Sequence, residues 1–126
     1  MSEPIARIDY IELPAPELEP TKAFYAKAFG WDWTDFGPTY AVSQTTSPEI
    51  GLNALGEPGP PGEKGAENPI GPLVLMCTDR LDEALAVVRD AGGRITSEPY
   101  AYPGGRRFHV ADPSGNVIGI YQPDQD

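Results

Sequence analysis

The chain of 126 residues is poor in several of the side chains from which functional sites are commonly built. It has one cysteine, Cys77, so no disulfide can form within it, and one histidine, His109, so no histidine-rich metal centre can be assembled. Basic residues are also scarce: nine Lys and Arg stand against nineteen Asp and Glu, a formal net charge of −10. With a pI near 4.4, most faces would repel a phosphate backbone or an anionic lipid surface, which argues against nucleic acid and membrane partners. No apolar run approaches the roughly 20 residues that cross a bilayer. The opening MSEPIARID has no basic start followed by an apolar core, and the expectation is a soluble, cytoplasmic protein. At 40% hydrophobic residues the chain has material for one globular domain, or for two small halves that share a core.

Glycine and proline, by contrast, are abundant, at fourteen and fifteen residues. Many are pooled in GEPGPPGEKG, residues 56–65, where glycine recurs at every third position. The run is too short for a collagen triple helix and reads as a flexible polar linker over 56–70. On either side of it the order of elements repeats. Ile5 to Leu13 is a strand, and Glu17, Glu19 and Pro20 open a helix that stops at Gly30. In the second half Leu73 to Cys77 suits a buried strand; Asp79 can cap a helix striped by Leu81, Ala84, Leu85 and Val88, which ends at Gly92-Gly93. Three strand-like stretches follow each helix, at 31–36, 39–45 and 50–55, then at 94–102, 105–111 and 116–122. The chain therefore reads as an α+β fold of two βαβββ modules in tandem, residues 1–55 and 71–126.

A tandem βαβββ chain carrying Phe24-Tyr25, Phe29-Gly30-Trp31 and the DPSGN turn at Asp112 to Asn116 resembles the glyoxalase/bleomycin-resistance/extradiol dioxygenase superfamily, also called vicinal oxygen chelate. The resemblance covers nearly the whole chain. It implies a curved mixed sheet around a central cup with the helices outside, commonly within a homodimer. It implies either metal-dependent isomerases and ring-cleaving dioxygenases or metal-free proteins that sequester drugs, so the fold does not settle the function. The family's metal enzymes draw ligands from four cup-facing strand positions. Counting back seven residues from Glu17 and from Asp79, an offset of 62, puts the first-strand positions at Tyr10 and Pro72. The resemblance puts a third at Gly119 in GNVIGI, and the repeat match of the closing strands, where the offset is 68, makes Gly51 its counterpart, with Asn53 in its place if the register slips by two. Proline and glycine offer no side-chain donor, and a lone neutral phenol is a poor site for a divalent ion, so no metal and no cofactor is expected.

Strand alternation suggests the lining. If Tyr10 faces the cup, so does Glu12, while Ile11 and Leu13 turn to the helix. The offset of 62 then sets Val74 and Met76 in the cup and Leu73, Leu75 and Cys77 beneath the helix, which makes Cys77 an inert buried thiol. A turn centred on Ser114 places His109 opposite Gly119 and Arg107 opposite Tyr121. His109 reads either as a base or ligand anchor or as a half-buried strand histidine. Arg107 reads either as a clamp for an anionic group or as a partner of surface acids, and Glu12 either as a proton acceptor or as a partner of Arg107. Trp33, Tyr40 and Tyr121 offer flat surfaces for a planar ligand, whereas Trp31 reads as packing. Two functions follow: a metal-independent protein that binds a small organic molecule in an aromatic-lined cup, or a metal-dependent lyase, isomerase or dioxygenase with a site rearranged around Tyr10, Glu12, His109 and Asn53.

Overall fold

A computed structural model describes residues 8–56, 61–62, 65–69 and 73–125. The alternation in Tyr10-Ile11-Glu12-Leu13 forms β1 (Tyr10–Pro14), followed by α1 (Leu18–Phe29), β2 (Thr34–Asp35), β3 (Tyr40–Ser43) and β4 (Glu49–Asn53). The buried residues of α1, Leu18, Thr21, Phe24 and Tyr25, recur at helical spacing. Gly30 stops the helix in the left-handed region at φ 73°, where its N–H reaches the Ala26 carbonyl at 2.9 Å. The four strands form a mixed sheet in the order β1-β4-β3-β2, with β1 parallel to β4 and the other pairs antiparallel.

Within the segment read as a linker, β5 (Pro61–Gly62) and β6 (Gly65–Pro69) pair as a short antiparallel ladder. The second module repeats the first: β7 (Leu75–Cys77), α2 (Leu81–Asp90), β8 (Arg94–Tyr102), β9 (Gly105–Ala111) and β10 (Val117–Pro123), in the order β7-β10-β9-β8. Each module is thus a four-stranded mixed sheet with one helix. The start of α2 departs from expectation, since Asp79 does not cap it. Arg80 occupies the N-cap without a side-chain cap bond; the Gln122 side-chain oxygen accepts from Leu81 N–H at 2.9 Å, and the Thr78 hydroxyl accepts from Arg80 N–H at 3.1 Å. The Asp79 carboxylate lies instead 3.5 Å from the Arg80 guanidinium.

The helix-facing sides of both sheets share one apolar interior. Phe24 and Tyr25 of α1 pack with Leu81 and Val88 of α2 over Phe108, Val110, Ile118 and Ile120 of the second sheet. Ala15, Leu18, Ala41 and Leu52 form a smaller cluster under the first sheet, and Leu13 and Trp33 touch both clusters. The DPSGN turn fastens the modules together. One Asp112 oxygen accepts from the N–H groups of Ser114 and Asn116, each at 2.9 Å; the other accepts from the Tyr25 hydroxyl at 2.8 Å and from Asn116 Nδ2 at 2.9 Å. Asn116 Nδ2 also donates to the Pro14 carbonyl at 2.7 Å, and Ser114 Oγ lies 2.6 Å from Thr21 Oγ1.

Candidate functional site

The side chains facing away from the helices define the candidate cup. In the first sheet the register sets Tyr10 beside Glu49, Glu12 beside Gly51, Val42 beside Gly51 and Tyr40 beside Asn53. The hydroxyls of Tyr10 and Tyr40 lie 2.7 Å apart over Gly51, so close to its Cα that a Cβ there would run into both. Tyr40 donates to Glu12 Oε1 at 2.9 Å, and Asn53 Nδ2 donates to Glu12 Oε2 at 3.3 Å. Removal from water, together with the bonds to Tyr10 and Glu12, raises the Tyr40 pKa far above that of an ordinary phenol, so its proton stays on. Four of the residues singled out from sequence, Tyr10, Glu12, Tyr40 and Asn53, are therefore brought into one hydrogen-bonded group on one sheet face.

The second sheet supplies another group. His109 lies opposite Gly119 and Arg107 opposite Tyr121, as the turn centred on Ser114 requires. A Cβ on Gly119 would lie 2.5 Å from Leu75 Cδ2, 3.5 Å from His109 Cδ2 and 3.6 Å from Leu73 Cδ2, so the Leu75 side chain fills the space over this glycine and His109, 4% exposed, lies beside it. Arg107 gives its Nε–H to the Tyr100 hydroxyl and lies over two rings, 5.6 Å from the centre of Tyr100 and 5.3 Å from that of Tyr102. The Tyr100 hydroxyl is 3.4 Å from His109 Nε2. Tyr100 and Tyr102 were missed in the sequence reading. The strand over 94–102 was read, and the spacing of two within PYAYP sets both tyrosines on one face; what the sequence did not show is that this face carries Arg107.

Met76 and Cys77 lie on the faces opposite to those expected. The ladder pairs Leu75 with Gly119 and Tyr121 with Cys77, so Leu73, Leu75 and Cys77 share the cup face while Val74 and Met76 pack into the helix-side core. Since Glu12 pairs with Gly51 as Leu75 pairs with Gly119, the first strands are related by an offset of 63 rather than 62. The counterpart of Tyr10 is then Leu73; Pro72, the position expected, lies outside the described residues. Cys77 is exposed rather than buried, and its bond to the Tyr121 hydroxyl pushes the pKa of that phenol up. Trp33 also departs from expectation: it packs against both core clusters and donates Nε1–H to the Lys22 carbonyl at 3.1 Å. Trp31 stacks on Tyr25 with ring centres 4.7 Å apart, as packing predicts. A cavity of about 280 Å³ lies on the helix side, between Phe29, Met76 and Val87, away from both tyrosine groups.

Among the described residues no three His, Cys, Asp or Glu side chains converge as a metal site would need. At the four positions that the resemblance assigns to metal ligands, with the register corrected, this chain has a phenol at Tyr10, a leucine at Leu73 and glycines at Gly51 and Gly119. That donor set does not fit a divalent ion.

Two βαβββ modules, each a four-stranded mixed sheet with one helix, define an α+β protein of two tandem, unclosed sheets. The family model for the Glyoxalase/Bleomycin resistance protein/Dioxygenase superfamily matches residues 7–120, and the chain belongs to that superfamily. No curated protein matches the chain. Among solved structures it is similar to a glyoxalase-related enzyme from Fulvimarina pelagi, with 21% identity and a TM-score of 0.74 over 94% of this chain and 88% of that one. It is similar also to TnmS3, an antibiotic binding protein from Streptomyces sp. CB03234, with 24% identity and a TM-score of 0.69 over 98% and 100% of the two chains. A lactoylglutathione lyase from Agrobacterium tumefaciens shares 17% identity at a TM-score of 0.70, over 94% and 95%. At these identities the likeness is one of fold, and the fold serves both catalysts and binders.

Proposed function

We propose that this protein is a metal-independent binder of a small organic molecule, held in a tyrosine-lined cup that two copies of the chain complete as a homodimer. The observation that carries this reading is the crowding at Gly51. The space that a ligating side chain would fill is taken by the hydroxyls of Tyr10 and Tyr40, which are bonded to each other and to Glu12. A phenol held protonated in this way is a hydrogen-bonding surface and a poor donor to a metal. The rings of Tyr10, Tyr40, Tyr100 and Tyr102 supply flat apolar area, and Arg107 and Glu12 supply orientation. The antibiotic-binding relative of similar fold supports binding as a function this architecture serves.

The test is a calorimetric titration of chelator-treated protein with Ni²⁺, Zn²⁺, Mn²⁺, Co²⁺ and anaerobic Fe²⁺. Silence across the five ions is expected. One tight site per chain, weakened by His109→Ala or Glu12→Gln, would instead establish a rearranged metal centre and an enzyme.

A further inference from the structure

The outer faces of the two sheets are polarised in opposite senses, and the direction of each hydrogen bond follows from counting protons. As a carboxylate, Glu12 can only accept. Tyr40 has one hydroxyl proton and gives it to Glu12 at 2.9 Å, so in the 2.7 Å contact between the two phenols the donor is Tyr10. Both phenolic protons are thus spent along the chain from Tyr10 to Tyr40 to Glu12. Asn53 adds a second donor to Glu12, and its own oxygen is taken by Leu55 N–H at 3.0 Å. The tyrosine and glutamate oxygens over Gly51 can therefore accept from a ligand and cannot donate to one.

The second face is the reverse. Arg80, Arg89 and Arg106 each have a carboxylate within ion-pair distance, at 3.0, 2.9 and 3.4 Å. Among the described residues neither Arg94 nor Arg107 has one, although acids outnumber bases two to one in the chain, and of the two it is Arg107 that lies against aromatic rings. Its guanidinium is half-buried, spread over the rings of Tyr100 and Tyr102 and tied through Nε to the Tyr100 hydroxyl. An arginine fixed in this way by aromatic faces, its terminal N–H groups making no hydrogen bond among the described residues, is suited to a planar anionic group.

We propose that the ligand is a dipolar aromatic or otherwise flat molecule of amino-acid-like chemistry. Its ammonium or amidinium end rests on Tyr10 and Glu12, and its carboxylate end rests on Arg107. This assignment rests on the reading that both faces line one metal-free cup.

The probes are 4-(aminomethyl)benzoate, which carries both ends, and benzylamine and benzoate, which carry one each. They are titrated into the full chain in chelator-treated buffer and followed at the backbone amides of Gly51 and Gly119. Benzylamine is expected to shift Gly51, benzoate to shift Gly119, and the two-ended probe to shift both and bind about tenfold or more tightly than either. Glu12→Gln replaces an acceptor with an amide that also donates, and should weaken benzylamine and the two-ended probe about tenfold while sparing benzoate. Arg107→Gln should do the reverse. The proposal is overturned if benzoate shifts Gly51 as readily as benzylamine does, if the two-ended probe gains nothing, or if none of the probes shifts either glycine at millimolar concentration. Failure of the metal-free reading looks different: a divalent ion alone, added without any organic probe, would shift Gly51.

Discussion

Glycine 51 is required by what approaches it rather than by its own backbone, and this sets the expected outcome of replacing it. In Gly51→Ala the new methyl meets the far ends of two tyrosine side chains, which can swing aside, so the chain should still fold with a loss of under about 1 kcal/mol. The hydroxyl chain from Tyr10 to Glu12 should break, and a urea unfolding midpoint near that of the parent together with lost probe response would show both effects. Gly105→Ala is the contrasting control. There the methyl meets the backbone of Gln122 and Pro123, which cannot swing, and a cost of about 2–3 kcal/mol is expected in the same measurement. At this scale the sequence was legible where one face is polar and the other apolar. Tyr10 was placed by the resemblance, Glu12 on its face by alternation, and His109 and Arg107 by the geometry of the turn. It was illegible where a neighbour decides the outcome: nothing in the residue Gly51 says that two phenols occupy its side-chain space. The strand at 94–102 was legible, but the face of Tyr100 was not, because the ladder between β8 and β9 shifts register between Ser97 and Tyr100, around Pro99, and alternation carried from Arg94 loses its phase there.

Among the elements, β7 shows why periodicity has limits. The run Leu-Val-Leu-Met-Cys is apolar on both faces, so alternation carries no phase, and a single-residue error in the offset between modules exchanged Met76 with Leu75. The DPSGN turn was legible as a turn, but its role as a clasp on α1 depends on Tyr25 and Thr21, which are distant in sequence. That clasp has a pH signature. Burial is the largest influence on the Asp112 carboxyl and raises its pKa above the ordinary 3.8, although four hydrogen bonds pull the other way. A raised native pKa means that the folded chain binds the proton more readily than the unfolded one. This group's contribution is therefore fully present below pH 3.8 and is lost as pH rises through the raised native value. Urea unfolding across the acid range should show that downward slope in the parent and lose it in Asp112→Asn. Asp112→Asn should in addition be less stable by about 1–3 kcal/mol at neutral pH, because an amide N–H would face Asn116 Nδ2. Tyr25→Phe removes one donor to Asp112 and should cost about 1–2 kcal/mol.

For the molecule as a whole, the repetition of βαβββ made the architecture the most legible feature of the sequence, because each half carries its own helix stop and its own strand count. How the two halves meet was beyond it, since the core that α1 and α2 share and the polar contacts beside it join residues distant in sequence: Phe24 and Tyr25 with Leu81 and Val88, Asn116 on Pro14, Ser114 on Thr21, and Lys27 on the Asp90 carbonyl at 3.0 Å. All of these lie at the ends or on the helix side of the sheets. The opposite side leaves Tyr10, Leu75 and Tyr100 exposed by 39%, 42% and 37%, apolar area for which a second copy is the proposed cover. Light scattering should then give twice the chain mass of 13.6 kDa, and a single-chain mass at every concentration would reject the dimer. The charge sharpens this test. Two copies at −10 each repel over a Debye length of about 30 Å in 0.01 M salt but only about 8 Å at physiological ionic strength. An association driven by apolar cup faces against that repulsion should tighten as salt is added, whereas one built on ion pairs between Glu12 of one copy and Arg107 of its partner should loosen. Tightening is the expected result, because it leaves Glu12 and Arg107 free to meet the two ends of a ligand instead of each other.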